Sequence, residues 1–286
     1  METKRPPART VCVTGGAGFI GSHLCDALLA AGHRVLVIDD LSSGREENVP
    51  AGAELHRLDV RSAEAASLVE NAGIDVLVHQ AAQMDVRRSV ADPVFDASVN
   101  VVGTLNLLEA ARRGGVKQVL FASTGGAIYG EQEAYPAAED HPTRPVSPYG
   151  VAKLSVERYL YFYQAAYGLD AVCLRYANVY GERQNPHGEA GVGAIFLTKL
   201  LRGETATING TGLQTRDYVH VSDLASAHLC ALEALKAGRP SSAYTLGNGL
   251  GASVNEVIET ALAKNHEIRQ PSIGAFADAL GHAYGL

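Results

Sequence analysis

Tyr149 and Lys153 stand four residues apart in the stretch SPYGVAK, residues 147–153. Ser147 can accept from the free N–H groups of a first helical turn, and Pro148 lacks an N–H where none is needed, so a helix begins here. Residues at i and i+4 project from one helix face, which puts a phenol and an ammonium on the same side. A phenol ionises at about pH 10 and a neighbouring cation favours its phenolate, so the pair has the makings of a base for an alcohol. The same spacing also arises by chance, and the pair alone names no reaction.

A second chemical signal is TGGAGFIG, Thr14–Gly21, between an apolar run and a helical one. Gly16, Gly18 and Gly21 satisfy G-x-G-x-x-G, and Gly15, Gly18 and Gly21 also give G-x-x-G-x-x-G. Glycines there permit a tight turn that brings backbone N–H groups to a diphosphate on the helix N-terminus. Asp39 follows Gly21 by eighteen residues and ends the next apolar run. A carboxylate at that place grips an adenosine ribose and repels a 2′-phosphate, which predicts NAD over NADP. Arg45, in the loop beyond, is the cation that would soften this preference.

The elements that must position these groups follow from the pattern. Short apolar runs at Thr10–Thr14, Arg34–Asp39, Glu54–Leu58, Asp75–His79, Val116–Ala122 and Ala171–Arg175 read as strands. Helices read at Gly18–Ala31, Ala63–Ala72, Pro93–Gly114 and Pro148–Tyr167. This β-α-β alternation predicts an α/β fold, a Rossmann-type doubly wound parallel sheet covered on both faces. After Tyr176 the pattern loosens. Residues 178–193, rich in Gly, Asn and Pro, read as a long functional loop, followed by helices near Ala194–Leu201 and at Val221–Lys236, the latter with Ser222 or Asp223 as cap. The expected division is a nucleotide-binding domain over residues 8–177, with strand contributions from later segments, and a smaller substrate-binding lobe mainly over 178–286.

Composition narrows the partners. The 286 residues are 47% hydrophobic and carry a formal net charge of −7, and the mean hydropathy is +0.00. This is an ordinary globular balance, and the acidic surplus argues against nucleic acid or an anionic membrane as partner. The longest apolar stretches are too short to cross a bilayer, and the polar N-terminal segment leads into a strand, so the reading is cytoplasmic. Cys12, Cys25, Cys173 and Cys230 show no paired spacing and read as buried reduced thiols. His23, His33, His79 and His220 fall on different elements without ligand spacing, so no metal is expected.

The motifs together carry a resemblance. TGGAGFIGSHL, LDV at Leu58–Val60, AAQ at Ala81–Gln83, NVVGTLNLLEAA from Asn100, YGVAK, RYANVYG at Arg175–Gly181 and GLQTRDYVHVSD at Gly212–Asp223 occur in order. This chain resembles the extended short-chain dehydrogenases/reductases, specifically the UDP-glucose (UDP-galactose) 4-epimerase family, over roughly residues 10–260. The resemblance implies that Gly15, Gly18, Phe19, Ile20 and Gly21 hold the NAD diphosphate, with Asp39, Asp40, Leu41, Ser42, Ser43 and Gly44 at the adenosine. Asp59 and Val60 would flank the adenine. Gln80, Ala81, Ala82 and Gln83 would line the cofactor path, and Asn100 would support the sheet edge beside it. Ser123, Tyr149, Lys153, Tyr176 and Val179 complete the implied cofactor contacts. Tyr149 would be the catalytic acid/base, Lys153 would bind the nicotinamide ribose, and Ser123–Thr124 would supply a third hydroxyl. Thr124, Gly125, Tyr149, Asn178, Val192 and Arg216 would hold the nucleotide sugar, with Arg183 a weaker candidate.

The implied reaction is epimerisation at C4 of a UDP-sugar through a 4-keto intermediate. Sugar-nucleotide 4,6-dehydratases of the same family place an Asp-Glu pair after the catalytic Thr, and decarboxylases carry a Glu nearby; here Gly125 and Gly126 follow Thr124. Those two reactions, another nucleotide-sugar oxidation of the same family, and a non-catalytic NAD(H)-sensing role are the alternatives. The resemblance weakens at the C-terminus, where relatives commonly continue by some tens of residues and supply an arginine to the diphosphate, so this segment is expected to be short. Arg269 reads as a surface charge. In this family the helices at 93–114 and 148–167 pair between subunits, which makes a homodimer the expected use of the YLYFY cluster, Tyr159–Tyr163.

Overall fold

The computed structural model describes residues 8–185, 210–236 and 242–262, with scattered positions between 195 and 208. Its strands are β1 (Thr10–Thr14), β2 (Arg34–Asp39), β3 (Ala53–Arg57), β4 (Val76–His79), β5 (Gln118–Thr124), β6 (Asp170–Tyr176), β7 (Asn178–Tyr180), β8 (Thr215–His220), β9 (Ser242–Leu246) and β10 (Gly251–Ser253). Seven of them form one parallel sheet in the order β3-β2-β1-β4-β5-β6-β9. The order reverses between β1 and β4, and in such sheets the crevice outside the carboxyl ends at that point is the ligand site.

The helices are α1 (Phe19–Ala30), α2 (Ala63–Asn71), α3 (Val86–Ala91), α4 (Pro93–Ala97), α5 (Thr104–Gly114), α6 (Gly125–Ile128), α7 (Pro148–Tyr167), α8 (Val221–Lys236) and α9 (Val254–Leu262). Strand side chains alternate between the two faces, and the core divides accordingly. Val11, Val13, Leu120 and Ala122 face the layer of α1 and α8, where Leu24, Leu28, Leu224 and Leu232 pack. Cys12, Val119 and Phe121 face the layer of α2, α5 and α7, against Val69, Leu107, Val156 and Leu160. Full burial of one such Leu is worth ~1.5–3 kcal/mol, so two continuous layers hold the strand ends firmly.

Two of the helices differ from the sequence reading. The helix expected over Pro93–Gly114 contains a π-helical turn, Ser98–Gly103, between α4 and α5. Inserted turns of this kind concentrate at functional sites, and this one carries Asn100. The start of α8 is not capped by Ser222 or Asp223; the N–H of Ser222 donates to His220 Nδ1 (3.3 Å). Among the described residues after 177, α8 packs on α1, β9 extends the large sheet beside β6, and β7, β8 and β10 make a three-stranded sheet of their own. Of the four cysteines, Cys12, Cys25 and Cys173 are buried as expected and Cys230 is exposed.

Candidate active site

The glycine-rich turn joins β1 to α1 under tight constraint. Gly15 has φ 70° and donates its N–H to Ile38 O (2.8 Å), and a Cβ at Gly21 would meet Gly15 O at 2.1 Å. Only glycine meets both demands. Gly18 stands at the N-cap of α1, where no side chain caps the helix. A Cβ there would have one close neighbour, Gly15 O at 3.2 Å, and otherwise would project into the space before the helix. Phe19 and Ile20 open the first turn, so its N–H groups and positive dipole end address that space. A turn of this shape can cradle a diphosphate.

Asp39, at the end of β2, is nearly buried, and its two oxygens accept from Ala17 N and Leu41 N, each at 2.9 Å. Burial pushes its pKa up while those two backbone N–H groups pull it down. Each oxygen keeps a lone pair, so the carboxylate can still receive a ribose diol. Leu41 takes a left-handed φ of 59°, and Ser42 N donates to Asp40 Oδ1 (2.9 Å); beyond Ser43 this turn holds Gly44 beside Ala17. Arg45 reaches Glu47 (3.2 Å) at the surface.

Beyond β3, Asp59 is committed to Arg61, whose side-chain hydrogen bond holds its carboxyl below the ordinary value. Val60 is buried against Gly103, where a Cβ would lie 2.8 Å from it. After β4, Ala81 N donates to Thr14 Oγ1 (3.1 Å). Asn100 clamps the next residues: Gln83 N donates to its Oδ1 and its Nδ2 donates to Gln83 O, both at 2.8 Å. The Gln83 side chain turns inward, to Asp85 and Asp96, and does not line the crevice. Gln80 and Tyr176 likewise turn inward. The Tyr176 hydroxyl reaches Gln80 Oε1 (3.0 Å) and His228 Nε2 (2.9 Å), and burial raises its pKa.

A buried proton chain underlies this loop. The Thr104 hydroxyl donates to Asn100 O (2.7 Å), so it accepts from His79 Nε2 (2.8 Å), and His79 Nδ1 accepts from the Thr14 hydroxyl (2.7 Å). The network assigns one tautomer to a neutral His79. Burial, with a contribution from Lys153, pushes its pKa down to about 3.

The Tyr149–Lys153 face of α7 looks onto the end of β5. Ser147 Oγ accepts from Gly150 N (3.2 Å), and Ser89 Oγ of α3 accepts from Tyr149 N (3.3 Å). Lys153 Nζ donates to Ala122 O (2.8 Å) and lies 4.8 Å above the Phe121 ring and 5.8 Å from the Tyr149 ring centroid. Burial pushes its pKa down to about 8, with the Asp96 carboxylate opposing. Thr124 ends β5, partly exposed, and its hydroxyl makes no hydrogen bond among the described residues. Ser123 turns the other way: it is 3% exposed and donates to Glu157 Oε1 (2.6 Å). It is therefore not the third hydroxyl. Glu157 also takes Arg175 Nε (3.0 Å) and Nη2 (2.8 Å), a buried pair that pins α7 to β6 one turn beyond Lys153.

The substrate-side candidates sit on the small sheet. Asn178, exposed on β7, pairs in register with Tyr218 and donates to Asp217 O (3.3 Å). Val179 packs partly into the core, and Arg216 is exposed on β8, where it donates to Thr215 O (2.8 Å). Gly125 opens α6 beside Tyr176 O. Arg183 is drawn to Asp26 of α1 (2.8 Å), and Val192 lies outside the described residues. Ser89, Asp96, Glu157 and Arg175 had no role in the sequence reading; burial of polar side chains is the signal that finds them, and it exists only in the fold.

A model of the NAD dependent epimerase/dehydratase family matches residues 11–247. The UDP-glucose 4-epimerase of Mycolicibacterium smegmatis is 48% identical over 259 residues, covering 88% of this chain and 80% of that protein. Among solved structures, the Thermotoga maritima UDP-glucose 4-epimerase with UDP-glucose superposes with a TM-score of 0.84 at 45% identity, covering 88% of this chain and 81% of that one. The Thermus thermophilus UDP-glucose 4-epimerase in complex with NAD gives 0.82 at 47% identity, covering 88% and 83%.

Proposed function

The chain belongs to the NAD-dependent epimerase/dehydratase family, and from that premise we propose that it interconverts UDP-sugars of the UDP-glucose/UDP-galactose type at C4, with NAD as cofactor and a 4-keto sugar between the epimers. The observation that supports this reading is buried Lys153 held on Ala122 O near the end of β5 and 5.8 Å from the Tyr149 ring, with Thr124 ending the same strand and Gly125 and Gly126 following where a dehydration would need an acid and a base.

The cradle at Gly15–Gly21 fits the NAD diphosphate, Asp39 fits the adenosine ribose and disfavours a 2′-phosphate, and Lys153 would hold the nicotinamide ribose. When bound, NAD supplies a reversible hydride acceptor for the sugar's C4. The chain's own residues manage the proton. Tyr149 accepts it from the C4 hydroxyl and returns it, Lys153 stabilises the phenolate, and Thr124 orients the hydroxyl by hydrogen bonding. In this reading Asn178 and Arg216, both exposed, would contact the nucleotide diphosphate, Arg216 by a charge-assisted contact.

The surface supports a homodimer. Val94, Val102, Tyr159 and Phe162 are 79%, 58%, 41% and 48% exposed along the π-interrupted helix and α7, apolar positions that a second copy would cover. Light scattering of the purified protein gives the test. Among the described residues no helix is long and apolar enough to cross a membrane, and the acidic, balanced composition supports a cytoplasmic setting.

The deciding experiment incubates the purified protein with UDP-glucose, UDP-galactose and their N-acetylated forms, with products followed by NMR. Interconversion at C4 is expected, and Tyr149→Phe should lose about 10²–10⁴ in kcat while retaining NAD. A keto or decarboxylated product, or turnover untouched in Tyr149→Phe, overturns the proposal.

A further inference from the structure

Behind Lys153 lies a carboxylate without an obvious cation. Asp96, on α4, is 1% exposed. Its Oδ1 accepts from Gln83 Nε2 and Asn100 Nδ2, each at 3.0 Å, while its Oδ2 is buried with no hydrogen-bond partner among the described residues. Both donors are neutral amides, and a buried carboxylate held only by amides is costly unless a cation offsets its charge. Lys153, itself 4% exposed, has the mirror-image problem: its contacts are Ala122 O and the rings of Phe121 and Tyr149. Helix α4 packs directly on α7, and Asp96 is the charge that opposes the effect of burial on Lys153.

The other ionisable groups nearby are already committed. His79 of β4 is neutral between two threonines, and Glu157 of α7 is paired with Arg175. Asp85 caps α3 through Arg88 N, and the Arg88 guanidinium lies 4.0 Å above the Phe95 ring. This leaves Asp96 and Lys153 as two buried charges on helices that pack on each other, with the Tyr149 ring beside Lys153.

We propose that Asp96 is a positioning residue for the reaction: a buried counter-charge that keeps Lys153 cationic when the site closes on its ligands, and through Lys153 keeps Tyr149 able to act as the base. The catalytic consequence rests on the epimerase reading; the electrostatics do not. A neutral Lys beside a phenol and a Lys cation beside a phenolate hold the same number of protons, so a negative charge on the lysine side decides between them.

Asp96→Asn isolates the charge, because Oδ1 makes both hydrogen bonds and Oδ2 makes none, so an amide keeps the contacts. In the NAD-loaded protein this variant is expected to lower kcat about tenfold at neutral pH with KM and NAD content unchanged, and to move the Tyr149 phenolate absorbance upward by about one pH unit. That absorbance is isolated by subtracting the spectrum of Tyr149→Phe. Unchanged kcat with an unchanged phenolate titration overturns the proposal, and so does a loss confined to KM or NAD content. Should Asp96→Asn fail to fold, the reciprocal measurement decides: the Asp96 carboxyl carbon, followed by NMR, titrates at higher pH in Lys153→Met than in the unaltered protein, and an unmoved titration overturns the proposal. Both titrations run without sugar nucleotide, so failure of the unaltered protein to epimerise refutes the proposed reaction and leaves this test standing.

Discussion

The wall behind Tyr149 and the small three-stranded sheet hold their polar side chains in opposite ways. Lys153, Ser123 and Arg175 are 4%, 3% and 6% exposed, and each is held by protein atoms: Ala122 O, the Glu157 carboxylate, and Glu157 with Tyr129 and Glu139. Arg216 and Asn178 are exposed, and each touches one backbone carbonyl. Groups that steer a proton must be in place before the ligand arrives, since reorganisation during the reaction would cost rate. Groups that bind a diphosphate can stay solvated and let the ligand supply their partners.

The comparison breaks most visibly at the buried ion pair. Glu157→Ala leaves Arg175 charged and unpaired, and loss of one partner of such a pair costs about 3–5 kcal/mol. The melting temperature should fall by many degrees; Glu157→Gln with Arg175→Met should recover part of the loss. A melt unchanged in Glu157→Ala would show that the wall does not depend on this pair.

The second effect is one of pH. His79 and His228 are neutral and buried, with pKa values pushed down by burial to about 3 and about 4 from the ordinary histidine value of 6.5. Between those values and 6.5 the unfolded chain binds protons that the folded chain refuses, so stability rises with pH through the window and drains away as pH falls below about 6.5. Denaturant midpoints measured between about pH 7 and pH 4 should decline, and His228→Gln should make the decline shallower. An equal slope in that variant would count against a neutral, buried His228.

The smallest effect belongs to the open side. Arg216→Ala should raise KM for the UDP-sugar about ten- to hundredfold, with kcat and melting temperature unchanged. A fall in melting temperature would mean that the small sheet, too, relies on its charged side chains for its fold, which would erase the contrast.

The sequence alone determined what is local. The glycine turn, the capped start of α7, the i/i+4 pair and the run ending in Asp39 are each legible because backbone geometry acts over a few residues. Their order along the chain also set the fold class, since strand and helix periods alternate. Tertiary structure alone decided which neighbours are buried together. Ser123 and Thr124 are adjacent in sequence, yet strand alternation sends one into the core toward Glu157 and leaves the other at the crevice. His79 finds Thr14 and Thr104, 65 and 25 residues away, and Glu157 finds Arg175, 18 residues on. Nothing in the position of Asp96 along the chain marks it; its buried oxygen, unpartnered among the described residues, does. Burial and charge coupling depend on distances in space, and no spacing along the chain encodes them until the sheet is closed.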